Sequence, residues 1–190
     1  MAHSRQNIIT KHYSGKLGNS VLQSDGIIRS LPDTSNRIWS EDQKGHISHF
    51  QKAKEYARMV KADPILSAPY LEPLKRLKRK KKNMGLYQLA IKDFLNPPEI
   101  IGLDERKKLS KPLSFEIHAQ DLVAIVRLRV RLLSPKGEIL EEGDTETVLE
   151  NGIYSYQVSN PSLLPPGTII HITAWDIPGN SSEKIIDYPQ

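Results

Sequence analysis

Residues 123–133, Val-Ala-Ile-Val-Arg-Leu-Arg-Val-Arg-Leu-Leu, alternate apolar and cationic side chains over most of their length. Successive side chains of an extended chain point to opposite faces, so this alternation separates two faces. One face carries Val126, Leu128, Val130 and Leu132, and the other carries Arg127, Arg129 and Arg131. The period of two predicts a β-strand with one buried face.

Segments of similar composition lie on both sides of this strand, separated by turn signals such as Ser134-Pro135-Lys136-Gly137. The further predicted strands span residues 113–117, 138–140, 145–149, 153–158, 168–175 and 184–188. This spacing is typical of a β-sandwich. The chain contains no cysteine, so it lacks the Cys–Trp–Cys pattern of antibody domains. We therefore predict an immunoglobulin-like or fibronectin-like sandwich over residues 97–190.

The hydrophobic period changes at Asn96-Pro97-Pro98, because the preceding residues follow helical spacing. A first helix is predicted to begin near Ser40, which can cap it, and to end at Asp63-Pro64. A second is predicted from about Pro69 to Lys81 and a third over residues 84–95. The apolar face of the third helix consists of Leu86, Leu89, Ala90, Asp93 and Phe94. Residues 37–96 are thus predicted to form a small, basic helical unit.

Residues 1–36 show no sustained period. Glycines and polar residues separate two short apolar pieces, Val21-Leu22 and Ile27-Ile28. Two interpretations stay open: a short hairpin with its turn at Ser24-Asp25-Gly26, and an extended arm that becomes ordered against a partner. The whole chain is accordingly predicted to belong to the α+β class, with an arm or hairpin, a helical unit and an all-β sandwich.

Charge divides along a similar line. The 190-residue chain has a net charge of +5. Residues 1–109 hold 21 Lys+Arg and 11 Asp+Glu, whereas residues 110–190 hold 6 and 11. Such asymmetry indicates parts with different partners. The basic part is expected to meet a polyanion or the acidic part of another copy.

The densest charge lies at residues 75–82, where seven of eight residues are cationic. The candidate residues for binding nucleic acid or another polyanion are Lys75, Arg76, Lys78, Arg79, Lys80, Lys81 and Lys82. Contact with nucleic-acid phosphates is one interpretation, and it carries no sequence preference. A solvated helix end, where cations suit the helix dipole, is the second. Docking onto an acidic protein surface is the third.

The arginines of residues 127–131 also allow two interpretations. They can contact a polyanion, or they can pair with acidic side chains on neighbouring strands, and we favour the cross-strand ion pairs. The candidate acidic partners are Glu141, Glu142, Asp144, Glu146 and Glu150.

No pattern points to catalysis. The chain has no Gly-x-Ser-x-Gly elbow, no Walker loop and no Gly-x-Gly-x-x-Gly motif. His46 and His49 have the spacing of two metal ligands, but nothing nearby completes a zinc site, so we expect solvent-exposed or interface histidines. We therefore predict no enzyme, no cofactor and no metal.

No apolar run approaches the roughly 20 residues of a membrane span. The N-terminal residues lack the apolar core of a secretory signal. The expectation is a cytoplasmic protein without membrane contact, or a component of a virion or another assembly.

Several segments together carry a family resemblance: Gly15-Lys16-Leu17-Gly18-Asn19, Ile28–Pro32, Ala62–Pro64, Tyr87–Ile100 and Thr173–Asn180. In these the chain resembles a widespread group of uncharacterised bacterial proteins that is frequent in Bacteroidota. Its most specific part is Asp93–Glu99, and the long basic run at residues 75–82 departs from the family pattern. The segment Ala174–Asn180 is similar to the last hairpin of bacterial immunoglobulin-like domains, and the Gly-Lys-x-Gly-Asn segment is similar to segments of phage and mobile-element proteins. The resemblance implies this architecture and carries no activity.

The sequence thus predicts a non-enzymatic structural or assembly protein. Its basic N-terminal half would dock onto a polyanion or neighbouring subunits, in a self-assembly for instance, and its sandwich would offer a binding surface. The alternative is a sequence-nonspecific nucleic-acid-binding accessory protein of a phage or mobile element.

Overall fold

The computed structural model describes residues 2–3, 15–23, 27–33, 36–79, 84–103, 114–145, 147–149, 152–160 and 164–187. Within these ranges it contains three helices and three antiparallel sheets, so the predicted α+β class is confirmed. The chain divides into two compact units, Met1–Lys44 and Gly45–Gln190. The boundaries proposed at residues 36 and 96 stay predictions.

The first unit contains a small sheet with the strand order β1-β4-β3-β2. Its strands span Ala2–His3 (β1), Gly15–Leu17 (β2), Ser20–Leu22 (β3) and Ile27–Ser30 (β4). The two apolar pieces of the predicted hairpin pair with each other, with Leu22 opposite Ile28. The turn predicted at residues 24–26 lies outside the described residues.

Three helices follow along the chain, α1 (Glu41–Ala62), α2 (Pro64–Arg79) and α3 (Leu86–Leu95). The first begins as predicted, because Ser40 and Gln43 form a reciprocal cap. The Gln43 amide donates to Ser40 Oγ at 3.2 Å, and the Ser40 amide donates to Gln43 Oε1 at 3.1 Å. Helix α1 ends at Ala62, directly before Asp63-Pro64, which confirms the predicted stop.

The predicted start of the second helix is wrong, because α2 begins at Pro64 rather than at Pro69. Proline is favoured in a first turn, since its missing N–H would have no helical partner there. Asp63 supports this start by accepting a hydrogen bond from the Ile65 amide at 2.8 Å. Pro69 and Pro73 both lie inside the helix.

The second unit also contains two four-stranded sheets, with the orders β5-β6-β10-β9 and β12-β11-β7-β8. The strands span Glu99–Leu103 (β5), Ser114–Gln120 (β6), Ile125–Leu133 (β7), Ile139–Asp144 (β8), Thr147–Leu149 (β9), Ile153–Gln157 (β10), Ile169–Asp176 (β11) and Ser181–Asp187 (β12). Our prediction missed β5, because its sequence Glu-Ile-Ile-Gly-Leu does not alternate and its register shifts between Ile100 and Gly102.

One apolar core joins the two sheets, since buried side chains of both belong to a single cluster. The first sheet contributes residues such as Phe115 and Ile117, and the second contributes residues such as Leu128 and Val130. At the edge, Lys184 of β12 donates hydrogen bonds to the carbonyl oxygens of Ile100, at 3.2 Å, and Ile101. This lysine therefore connects the edge strands β12 and β5.

The predicted inward orientation of Val126 is wrong, because its side chain is 61% exposed. The pairing of β7 with β11 shifts between Trp175 and Asp176, which places Ile125 opposite Asp176. Ile125 therefore packs against the core in place of Val126. Leu128, Val130 and Leu132 are buried as predicted.

A second apolar cluster lies among the helices. Its buried members are Ala57, Val60, Tyr70, Leu89 and Ala90. Leu122, Val123 and Ile177, from loops that connect the strands, pack against this cluster. The helices of the second unit thus cover the loops at one end of the sheets. None of the helices in the described part of the chain combines the length and hydropathy that a membrane span requires.

Candidate functional site

The predicted polyanion-binding residues lie at the C-terminal end of α2 and beyond it. Lys75 and Arg76 are exposed on the helix surface. Leu77, Lys78 and Arg79 are the last three residues of α2. Lys80–Lys82 lie outside the described residues. The structure therefore places the first part of the basic run on a helix and leaves its role a prediction.

Arg76 lines an open groove with a volume of about 530 Å³. The remaining walls come from the end of β6, the loop that follows it, the start of β7 and the turn before β10. The residues of these walls are Ala119, Gln120, Asp121, Val123, Ala124, Ile125, Gly152 and Tyr154. One cation of the basic run, Arg76, thus lies beside a concave surface formed by the sheets.

Backbone contacts hold the walls of this groove in place. The Ala119 amide donates to the Gly152 carbonyl at 3.0 Å. Gly152 has a φ of +76°, and a Cβ atom there would lie 2.6 Å from the Ala119 carbonyl oxygen. Asp121 Oδ2 accepts hydrogen bonds from the amides of Val123 at 3.1 Å and Ala124 at 3.0 Å. The Asp121 carboxylate is therefore oriented by its own loop.

The arginines of β7 form the cross-strand ion pairs that the sequence predicts. Arg127 Nη2 lies 3.0 Å from Asp144 Oδ2, and Arg129 Nε lies 3.0 Å from Asp144 Oδ1. Arg131 Nε lies 3.1 Å from Glu142 Oε2. The hydrogen bond from Arg127, followed by that from Arg129, holds the pKa of Asp144 below its usual value. All three arginines of this row are thus paired within the sheet, with two carboxylates between them.

Glu141, another of the predicted acidic partners, points elsewhere. Its Oε1 accepts hydrogen bonds from the Tyr156 hydroxyl and the Ser159 amide, each at 2.9 Å. Partial burial opposes ionisation of this carboxyl, but the hydrogen bonds outweigh it and the pKa of Glu141 is lowered. Glu146 and Glu150 lie outside the described residues.

The helical cations have a different environment from these arginines. Two ion pairs involve them among the described residues, Lys44 with Glu41 at 2.7 Å and Lys75 with Glu72 at 2.6 Å. Several exposed cations of α1 and α2 have no ion-pair partner in the described part of the chain, namely Lys52, Arg58, Lys61 and Arg76. Their charge is therefore available to an external anion.

A buried polar chain connects the three helices. The hydroxyl groups of Tyr56 on α1 and Tyr70 on α2 lie 2.8 Å apart. The Tyr70 hydroxyl donates to Asp93 Oδ2 on α3 at 2.7 Å. Tyr70 and Asp93 have no exposed surface, and Asp93 Oδ1 accepts no hydrogen bond from the described residues.

Burial shifts the ionisation of all three groups in this chain. It raises the pKa of Asp93 to about 7, and the negative charges of Asp121 and Asp176 add to the rise. The pKa values of Tyr56 and Tyr70 are also raised, chiefly by burial. Asp93 lies on the face of α3 that the sequence predicts to be apolar. An acidic residue in an apolar stripe was the signal for this buried carboxyl.

The turn between β11 and β12 is attached to α3 next to this chain. Asn180 Nδ2 donates to the Phe94 carbonyl at 3.1 Å and to Asp176 Oδ2 at 2.7 Å. The Asn180 amide donates to Asp176 Oδ1 at 2.6 Å. Burial raises the pKa of Asp176, which has 1% of its surface exposed. These contacts make the turn a structural link between sheet and helix.

The two spaced histidines do not come together at a metal site. The ring of His49 packs against Phe94 with a centroid distance of 5.5 Å. Among the described residues no group of three or more histidine and acidic side chains is arranged to hold a metal ion. Comparison of the chain with protein-family models, curated proteins and solved structures finds no match.

Proposed function

We infer that the two sheets of the second unit form an immunoglobulin-like sandwich. We letter the strands β5 to β12 along the chain as A, B, C, C′, D, E, F and G. The sheet orders β5-β6-β10-β9 and β12-β11-β7-β8 then become A-B-E-D and G-F-C-C′. Immunoglobulin domains distribute their strands in this way, with C′ added to the sheet that contains C, F and G. The shared apolar core between the sheets supports the same inference.

We propose that the protein is a non-enzymatic structural or assembly protein. Its basic helical part docks onto a polyanion or onto the acidic surface of neighbouring subunits, and the sandwich provides a further binding surface. The observation that carries this proposal is the contrast between two sets of cations. Among the helical cations, Lys44 and Lys75 are paired, but Lys52, Arg58, Lys61 and Arg76 have no ion-pair partner in the described part of the chain. All three arginines of β7 lie against Asp144 or Glu142.

This contrast matters because an unpaired exposed cation retains its attraction for an external anion. A cation that already lies about 3 Å from a carboxylate contributes little to the field outside the protein. Residues 78–82 add five cations to the sequence that follows Arg76.

The test compares two triple variants that remove the same charge. Arg58→Gln/Lys61→Gln/Arg76→Gln changes three unpaired cations of the helical set, and Arg127→Gln/Arg129→Gln/Arg131→Gln changes the paired arginines. We expect the wild-type affinity for a polyanion such as heparin to fall log-linearly with salt concentration. The helical variant should lower the slope by roughly 2–3, and the arginine variant by less than about 1.

Thermal melting of both variants checks that each is folded, since exposed charges contribute little to stability. Equal loss of slope in the two variants would contradict the proposal, because net charge alone would then explain binding. If heparin does not bind but the helical variant loses self-association in sedimentation velocity, the docking partner is the acidic surface of another copy.

A second candidate function is sequence-nonspecific binding of nucleic acid. The density of the basic run favours it, because seven cations in eight residues match the closely spaced phosphates of a nucleic acid. Purified protein should then carry nucleic acid, seen as a high absorbance at 260 nm relative to 280 nm. Duplexes of different sequence should bind with equal affinity, and unequal affinities would contradict this candidate.

A further inference from the structure

We infer that the groove beside Arg76 binds one nucleotide of a single-stranded nucleic acid, with its phosphate at Arg76 and an amino-bearing base at Asp121. This inference rests on the proposed docking of the basic helical part onto a polyanion, and it names the polyanion.

The size of the groove fits such a ligand. Its volume of about 530 Å³ lies within the range of roughly 300–1,000 Å³ that is typical of small-molecule sites. The groove is open, so a nucleotide can enter while the strand continues on both sides of it. In the sequence, residues 78–82 add five cations after Arg76.

Arg76 supplies the contact for the phosphate. Its side chain is exposed at the groove and has no ion-pair partner among the described residues. A guanidinium group can donate two parallel hydrogen bonds to a phosphate. The carboxylate of Asp121 lines the same groove, so an anion is attracted at one side and repelled at the other. The site therefore favours a ligand with an anionic end and a hydrogen-bond-donating end.

The polar groups beside Arg76 are hydrogen-bond acceptors. Asp121 Oδ2 accepts from two backbone amides, while Oδ1 receives no hydrogen bond from the described residues. Gln120 Nε2 donates to Glu99 Oε2 at 2.8 Å, which leaves the Gln120 carbonyl oxygen as an acceptor. The N4 amino group of cytosine offers two N–H donors to this pair of acceptors, whereas uracil offers O4 at that position and a single N3–H donor flanked by two acceptors. The groove should therefore distinguish these two bases.

The groove is also preformed. The Asp121 carboxylate is held by its own loop, and the close contact of Gly152 with the Ala119 carbonyl fixes the neighbouring wall. A site that needs no ordering on binding loses less entropy. An acidic peptide would offer Arg76 an anion, but its carboxylate side chains are acceptors and supply no donor to Asp121. The observations therefore favour the nucleotide over the peptide.

The experiment measures binding of the full chain to fluorescent twelve-residue strands of deoxycytidine and of deoxyuridine at pH 8. We expect about fivefold to tenfold tighter binding of the deoxycytidine strand. Asp121→Asn retains an oxygen for the loop amides but adds an N–H donor, so the preference should fall to about one or reverse. Arg76→Gln should weaken both strands alike and lower the salt slope by about one. Lys136→Gln, in a turn away from the groove, is the matched control and should leave the preference unchanged.

The outcomes separate this inference from the proposed function. Equal binding of the two strands with the salt slope intact overturns the nucleotide site and leaves polyanion docking in place. Retention of the full preference in Asp121→Asn also overturns the site. Binding of polyglutamate without binding of either strand overturns it in favour of an acidic protein partner. Failure of heparin, polyglutamate and both strands to bind overturns the site together with polyanion docking.

Discussion

Asp93 is a buried carboxyl whose surroundings change its ionisation. It is completely buried, and its hydrogen bond from Tyr70 occupies one of its two oxygens. Burial, together with the charges of Asp121 and Asp176, raises its pKa from 3.8 to about 7. No solvent or substrate reaches this carboxyl, so its shifted ionisation acts on stability.

We expect stability to fall as the pH rises from about 4 to about 7. Over this interval the folded protein retains a proton on Asp93 that the unfolded chain has released, so the proton stabilises the fold. A shift of this size corresponds to a free energy on the order of 4 kcal/mol. Urea unfolding of the wild-type protein between pH 4 and pH 8 measures the effect.

Asp93→Asn should remove most of this pH dependence, because Asn keeps an acceptor for Tyr70 and does not ionise. Burial also raises the pKa of Asp176, which should leave a smaller dependence of the same sign. Asp187→Asn, at an exposed position, is the control and should behave as the wild type. A full pH dependence in Asp93→Asn would show that its carboxyl is not the group responsible.

At the scale of elements, two turn glycines differ in what surrounds them. Gly152 and Gly137 have similar positive φ values, +76° and +85°. A Cβ atom at Gly152 would meet the Ala119 carbonyl of β6 at 2.6 Å, while one at Gly137 would meet nothing within 4 Å. Backbone in a paired strand cannot move away without breaking its hydrogen bonds.

Gly137→Ala should therefore reduce the free energy of unfolding by about 1–2 kcal/mol, the cost of the left-handed conformation alone. Gly152→Ala should cost about 1–3 kcal/mol more, because strain from the close contact is added. Urea denaturation of the two variants gives the difference. Equal losses of unfolding free energy would argue against the close approach of the Gly152 turn to the Ala119 carbonyl of β6.

At the scale of the whole molecule, the sheets and helices of the second unit have separate cores that share a boundary. Among the described residues, the core between the sheets consists of residues between 99 and 187. The helical core also includes Leu122, Val123 and Ile177 from the strand loops. Asn180 adds a hydrogen bond to the Phe94 carbonyl across this boundary.

A fragment of residues 97–190 should therefore fold alone and show a β-type far-UV circular dichroism spectrum. Its melting temperature should lie below that of the full chain, because the boundary residues lose their apolar cover. A helical spectrum, or an unfolded fragment, would contradict the division between helical unit and sandwich.

The first unit leads to a different expectation. Leu22 is the single buried residue among its described side chains. So little buried surface gives a small sheet weak stability on its own. Residues 1–36 should be cleaved readily by protease in the free protein and protected in an assembly. Equal resistance in both states would favour a sheet that folds without a partner.

The sequence by itself determined the features that depend on near neighbours along the chain. The Ser40 cap and the residue before Pro64 set the two ends of α1. The alternation of residues 127–132 predicted both the buried face and the charged face of β7. The cross-strand pairing of its arginines followed from the acidic residues after the next turn. Caps, prolines and alternation act within a few residues, so they are visible without a fold.

Only the tertiary structure decided the features that depend on distant residues. Val126 became exposed because the pairing of β7 with β11 shifts beside it. The pKa of Asp93 rose because packing of α3 against α2 buries the carboxyl beside Tyr70, a residue 23 positions away in sequence. The groove exists because the end of α2 lies beside loops of the sheets. Burial and concavity arise from packing between separate segments, and no local pattern encodes which segments meet.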